Sequence, residues 1–176
     1  MRRLPSIIRY MLLACITLPP SATANQSLIQ SEDLPWKVNA FAVARWKTLV
    51  GGNEGGQIDA ADVQFGLWEL APHSTYHGHR HPAPEIYHVL AGQGLWTIGD
   101  TTHTVGPGST LYTRSGVVHK MVNTGDLPLR TIWFWWAPDG RREVLTGAYE
   151  FTESAPEPTP DVPPWPVADE APVKLY

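Results

Sequence analysis

The chain of 176 residues holds a single cysteine, Cys15. One thiol excludes an internal disulfide framework and any cysteine-rich zinc site. Charge is also scarce: 17% of residues are charged, and the formal net charge is −4. A nucleic-acid binder that relies on a large basic surface is excluded on that balance. No apolar run is long enough to anchor the chain in a bilayer, and no stretch has convincing amphipathic helical periodicity. What the sequence has instead is 17 prolines, 15 glycines and 8 tryptophans within 43% hydrophobic residues. That is enough apolar material for a packed core, and the turn-formers and aromatics favour many short strands.

The N-terminus reads as an export signal. Arg2, Arg3 and Arg9 precede the apolar run Met11–Leu18, and Ala22-Thr23-Ala24 is a small-residue cleavage site. Residues 1–24 are therefore expected to be removed after Ala24, which places the mature chain in the periplasm or outside the cell. Leu12-Leu13-Ala14-Cys15 also resembles a lipidation box, although the apolar stretch before Cys15 is short for one. Cleavage after Ala24 would remove three arginines and the cysteine and leave a thiol-free acidic protein, suited to an oxidising compartment.

Short strand-like runs then recur with turn residues between them. They are Glu85–Leu90, Leu95–Ile98, His103–Val105, Thr110–Thr113, Val117–Val122 and Leu129–Trp136, after earlier strand material at 38–50 and 63–67. Such spacing predicts an all-β sandwich or barrel. Residues 141–151 fit a short helix or a strand equally. From Ala155 onward the chain carries seven prolines, which bars regular sheet pairing. The organisation expected is a signal at 1–24, one domain at 25–154 and a proline-rich extension at 155–176.

All seven histidines lie between His73 and His119. On extended backbone His79, His81, Glu85 and Tyr87 share parity and would point to one face. Two imidazoles and a carboxylate make a metal-binding face, and His119 on a later strand supplies a fourth ligand. Nitrogen and oxygen donors suit one divalent ion per chain: Zn, Fe, Mn, Ni or Co. His73, His77 and His103 read as turn or surface histidines, and His88 points opposite to Tyr87.

The run His79-x-His81-x3-Glu85-x6-Gly92 resembles the first motif of the cupin superfamily. Gly108-x5-Arg114-x-Gly116-x2-His119-x3-Asn123 resembles the second. His73 stands where the first motif usually begins with glycine, and Arg114 where the second usually has proline; neither is a ligand position. The resemblance covers roughly residues 60–137 and implies a single cupin domain, a double-stranded β-helix or jelly-roll barrel. Cupins commonly dimerise through sheet edges, which leaves a homodimer open.

The fuller pattern Tyr76-x2-His79-x-His81-x3-Glu85-x-Tyr87, with His119 later, is similar to the cupin-type dimethylsulfoniopropionate lyases. That resemblance implies His81, Glu85 and His119 as metal ligands, His79 and Tyr87 at or beside the metal, Tyr87 as base and Tyr76 also implicated. The implied reaction is β-elimination of dimethyl sulfide from a small carboxylate, leaving acrylate. Indole faces attract onium cations, so Trp133, Trp135, Trp68 and Trp96 are candidate contacts for the sulfonium, with Met121 as pocket lining. Alternation puts Trp133 and Trp135 on one face and Trp136 on the other. The competing expectations are a cupin dioxygenase or decarboxylase using Fe or Mn, and a non-enzymatic cupin that binds a metal or small ligand.

Overall fold

The computed structural model describes residues 28–39, 43–51 and 56–153. The expected signal at 1–24 and the extension at 155–176 lie outside them. Among the described residues eleven strands account for nearly all the regular structure: β1 Lys37–Val38, β2 Ala44–Val50, β3 Val63–Leu70, β4 Thr75–Arg80, β5 Glu85–Ala91, β6 Gly94–Ile98, β7 Thr101–Val105, β8 Thr110–Thr113, β9 His119–Asn123, β10 Leu129–Trp136 and β11 Glu150–Phe151. The stretch 141–151 resolves into a short 3-10 turn at Arg142–Leu145 followed by β11. No helix among the described residues is long and apolar enough to cross a membrane.

The strands form two antiparallel sheets, ordered β1-β2-β3-β10-β5-β8 and β11-β4-β9-β6-β7. This is the jelly-roll sandwich that the resemblance to the cupins implied. It does not close into a continuous hydrogen-bonded barrel, because β7 and β8 are free edges of different sheets. Ile98, His103, Thr104, Tyr112 and their neighbours line a cleft of about 380 Å³ where those edges part.

Alternation sets what faces inward. On β10, Leu129, Thr131 and Trp133 are buried, while Arg130, Ile132 and Phe134 are partly exposed. Trp68 on β3, Tyr87 and Val89 on β5, Trp96 on β6, Met121 on β9 and Trp133 form one core cluster between the sheets. Trp136 faces the other way and stacks on Phe134 and Tyr112. The turn from β5 to β6 passes through Gly92 at φ 81°, where an added Cβ would lie 2.6 Å from the Pro128 carbonyl oxygen.

Candidate metal centre

Two sheets supply the site. His79 is the last residue but one of β4 in the second sheet, and the chain then turns through Pro82-Ala83-Pro84 into Glu85 of β5 in the first sheet. His79, Glu85 and Tyr87 therefore converge across the sandwich interior, not along one continuous strand as their shared parity suggested. His119 opens β9 directly opposite His79. The three imidazoles of His79, His81 and His119 are buried, with one nitrogen of each within 4.8 Å of the others. Glu85 Oε2 lies 3.1 Å from Nε2 of both His81 and His119.

A register irregularity brings Tyr76 into the same group. Tyr76 pairs with Met121 and His79 with His119, so three steps along β4 match two along β9. The extra residue is a β-bulge, and it lets residues of opposite parity face the same interior. Tyr76 then packs edge-on against His79 at 4.9 Å and against Trp68 at 5.5 Å.

The hydrogen bonds select the chemistry. Nδ1 of His79 lies 2.8 Å from the His77 carbonyl oxygen, that of His81 2.9 Å from Ala83 and that of His119 3.0 Å from Val117. A carbonyl oxygen only accepts, so each Nδ1 must carry the proton, and a neutral ring then presents a lone pair at Nε2. Two such lone pairs aimed at an acceptor-only carboxylate oxygen 3.1 Å away repel it. A cation among these atoms removes the conflict, and the carbonyl contacts are the outer partners that metal-binding histidines use to fix their tautomer. The donor set of three imidazoles and one carboxylate fits a divalent transition ion.

The electrostatics agree. Burial and the neighbouring His119 push His79 down to about 3, so it is neutral at physiological pH, as a ligand must be. Burial alone would raise Glu85, but contact with the His119 and His81 rings, which can donate to it only when a proton takes the place of the metal at Nε2, outweighs burial and holds the carboxyl well below its usual range. The phenols move the other way. Tyr87 is raised well above 10 by burial first and then by Glu85, to which its hydroxyl hydrogen-bonds. Burial also raises Tyr76, although a hydrogen bond from Tyr149 opposes the rise.

The aromatic candidates divide between two levels. Trp135 packs on His81 at 4.4 Å, and Trp133 lies edge-on to Trp135 at 5.5 Å. The indole N–H of each is buried with no acceptor among the described residues. Below them, Trp96 lies 4.6 Å from Tyr87, and Trp68 touches Tyr87 and Trp96. Trp96 and Met121 are completely buried in the core. His73 is an exposed turn residue at φ 52° paired with Asp126, and His103 is exposed. His88 hydrogen-bonds Thr110 on the outer side of the first sheet. Asn123, at the end of the second motif, donates to the carbonyls of Leu70, Ala71 and Leu127 and accepts from Gly125 N–H, tying the β3–β4 connection to the β9–β10 turn.

One residue at the site had no signal in the sequence. Tyr149 stacks on His79 at 4.8 Å and donates a 2.9 Å hydrogen bond to the Tyr76 hydroxyl. It lies beyond both motifs, in a stretch whose pattern fitted helix and strand equally.

Residues 66–135 match the family model of the cupin domain. Dimethylsulfoniopropionate lyase DddW of Ruegeria pomeroyi is 33% identical over 82 residues, covering 47% of this chain and 52% of its own length. Dimethylsulfoniopropionate lyase DddQ of the same organism is 29% identical over 128 residues, covering 62% and 63%. The chain thus spans between about half and two thirds of these curated relatives. The crystal structure of DddQ from R. pomeroyi superposes with a TM-score of 0.58 at 24% identity, covering 69% of this chain and 62% of that one. The polyketide cyclase RemF from Streptomyces resistomycificus superposes at 0.54 with 18% identity, covering 62% and 78%. At these identities the superpositions establish a shared fold.

Proposed function

We propose that this chain, a cupin resembling the dimethylsulfoniopropionate lyases, is a metal-dependent carbon–sulfur lyase that cleaves dimethylsulfoniopropionate to dimethyl sulfide and acrylate. The observation that carries the metal requirement is the convergence of three imidazoles on Glu85, with every Nδ1 committed to a carbonyl oxygen. His79, His81, Glu85 and His119 would hold one divalent ion per chain. When bound, that ion supplies Lewis acidity toward the substrate carboxylate and a positive charge that favours ionised phenol.

The chain's own groups do the rest. Tyr87, beside Glu85, accepts the proton from the carbon next to the substrate carboxylate, and Tyr76, packed against His79, is the second phenol. The C–H electron pair becomes the new double bond, and the C–S bond breaks with its own bonding pair going to sulfur, which leaves as neutral dimethyl sulfide. Tyr87 and Tyr76 both have pKa values raised by burial in the metal-free protein, so the base function depends on a filled site. Trp135 and Trp133 offer indole faces for the sulfonium, each worth about 0.5–2 kcal/mol when well placed; Trp68, Trp96 and Met121 back the tyrosines from the core.

The test is Tyr87→Phe, made alongside Tyr76→Phe. Dimethyl sulfide release should be lost in Tyr87→Phe while one metal ion per chain is retained. Parent activity in both variants would refute the tyrosine base. Oxygen uptake in place of dimethyl sulfide release would move the assignment to a dioxygenase or decarboxylase.

Two further expectations belong to this reading. The Arg2–Ala24 segment supports export to the periplasm or medium, with cleavage after Ala24. A homodimer is the assembly proposed, and light scattering of the purified protein tests it.

A further inference from the structure

We propose that Tyr149 is a positioning residue of the metal centre: it closes the solvent side of the histidine cluster and holds the Tyr76 hydroxyl in place. The inference rests on reading the cluster as a metal centre; its closing role is independent of the substrate, and its hold on Tyr76 is read through the proposed activity.

Tyr149 has the geometry of a wall between site and solvent. Its ring is nearly parallel to His79, at 4.8 Å and 14°, and to His81, at 5.6 Å and 21°. It nevertheless keeps 40% of its surface exposed. One side therefore lies on the imidazoles and another meets water, while the hydroxyl reaches in to Tyr76 at 2.9 Å. Phe151 packs beside it and also contacts Tyr76 and His79.

The ring is held by a strap that runs along the edge of the second sheet. Gly147 lies against Pro82, where an added Cβ would overlap the proline ring. Glu150 then pairs with Arg80 and Phe151 with His79 in the β11–β4 ladder. Thr152 N–H donates to the Gly78 carbonyl at 2.7 Å. Two ion pairs fasten the strap from outside: Glu150 takes two hydrogen bonds from Arg80, at 2.8 and 3.0 Å, and Glu153 is 3.0 Å from Lys120. Both pairs are substantially exposed, so salt screens them. The β11–β4 contact is only two residues long. The closing wall of a buried centre thus hangs on a short ladder, the contacts of Thr152 and Glu153 with Gly78 and His77, and two screened ion pairs, which is how a movable element is built. The Tyr149–Tyr76 bond adds a positioning role, because it fixes the direction of a hydroxyl beside the metal ligands.

The test uses the full chain loaded with Co(II), whose visible absorption reports the ligand set. Release of cobalt to excess EDTA is followed by stopped flow. Tyr149→Ala should release cobalt about tenfold faster or more, with a native melting curve. Tyr149→Phe keeps the stacked ring, so its release should stay near that of the parent. It loses the hold on Tyr76, so its turnover number should fall with little change in KM. A double variant, Arg80→Gln with Glu150→Gln, loosens the strap without touching the ring; it should also speed release and blunt the acceleration that added salt gives the parent. Parent-like release from both Tyr149→Ala and the double variant would overturn the inference. Failure of the folded parent to take up cobalt would instead overturn the metal reading beneath it.

Discussion

In the metal-free protein His79 should make stability depend on pH in a calculable way. Its folded value is about 3, and its ordinary value is 6.5. Above pH 6.5 the ring is neutral in both the folded and unfolded chains, and no penalty arises. As pH falls below 6.5 the unfolded chain takes up a proton that the folded chain refuses. Stability therefore declines with falling pH until the folded ring itself titrates near 3. A pH of 5 lies about one and a half units below the ordinary value of 6.5 that the unfolded ring keeps, which corresponds to about 2 kcal/mol. Glu85 adds little in this window, because its carboxyl is held low and remains ionised. The assay is urea unfolding of chelator-treated protein at pH 7 and pH 5, for the parent and for His79→Gln. The parent should lose about 2 kcal/mol more than the variant between the two pH values. An equal loss in both would refute the claim that His79 is held as a neutral, ligand-ready imidazole.

Glu85→Gln keeps the shape of the side chain but removes the only carboxylate among the four donors; metal affinity measured by competition with a chromophoric chelator should fall by roughly 100-fold or more. Asn123→Ala should cost about 2–3 kcal/mol in thermal or urea unfolding, because the buried carbonyls of Leu70, Ala71 and Leu127 lose their shared donor. Metal uptake by the folded fraction of that variant should be unchanged, since Asn123 touches no ligand.

Much of the fold could be read ahead. The strands Thr110–Thr113 and Leu129–Trp136 coincide with the expected runs, because clear turn chemistry bounds them and alternation is strong within them. The inward set of β10 was legible as a pair of alternatives, and burial in the sandwich chose the one with Trp133 inside. Other features needed three dimensions. Parity grouped His79 with Glu85 and Tyr87 as if on one strand, whereas a turn between His79 and Glu85 carries the chain from one sheet to the other. A turn of that length leaves the grouping intact while changing its cause. The bulge that swings Tyr76 inward depends on the pairing of β4 with β9, which no local pattern encodes. Tyr149 was invisible because its place comes from a strap anchored by Arg80 and Lys120, residues 69 and 29 positions earlier in the chain. The failure of β7 and β8 to meet likewise reflects sheet edges and not strand propensity.

The most direct measurement is the yield of dimethyl sulfide and acrylate from dimethylsulfoniopropionate, set against bound metal per chain in the purified protein. The account predicts equal amounts of the two products, formed only when about one divalent ion is bound and lost in Tyr87→Phe. A folded protein that carries one ion per chain and leaves dimethylsulfoniopropionate intact would contradict it.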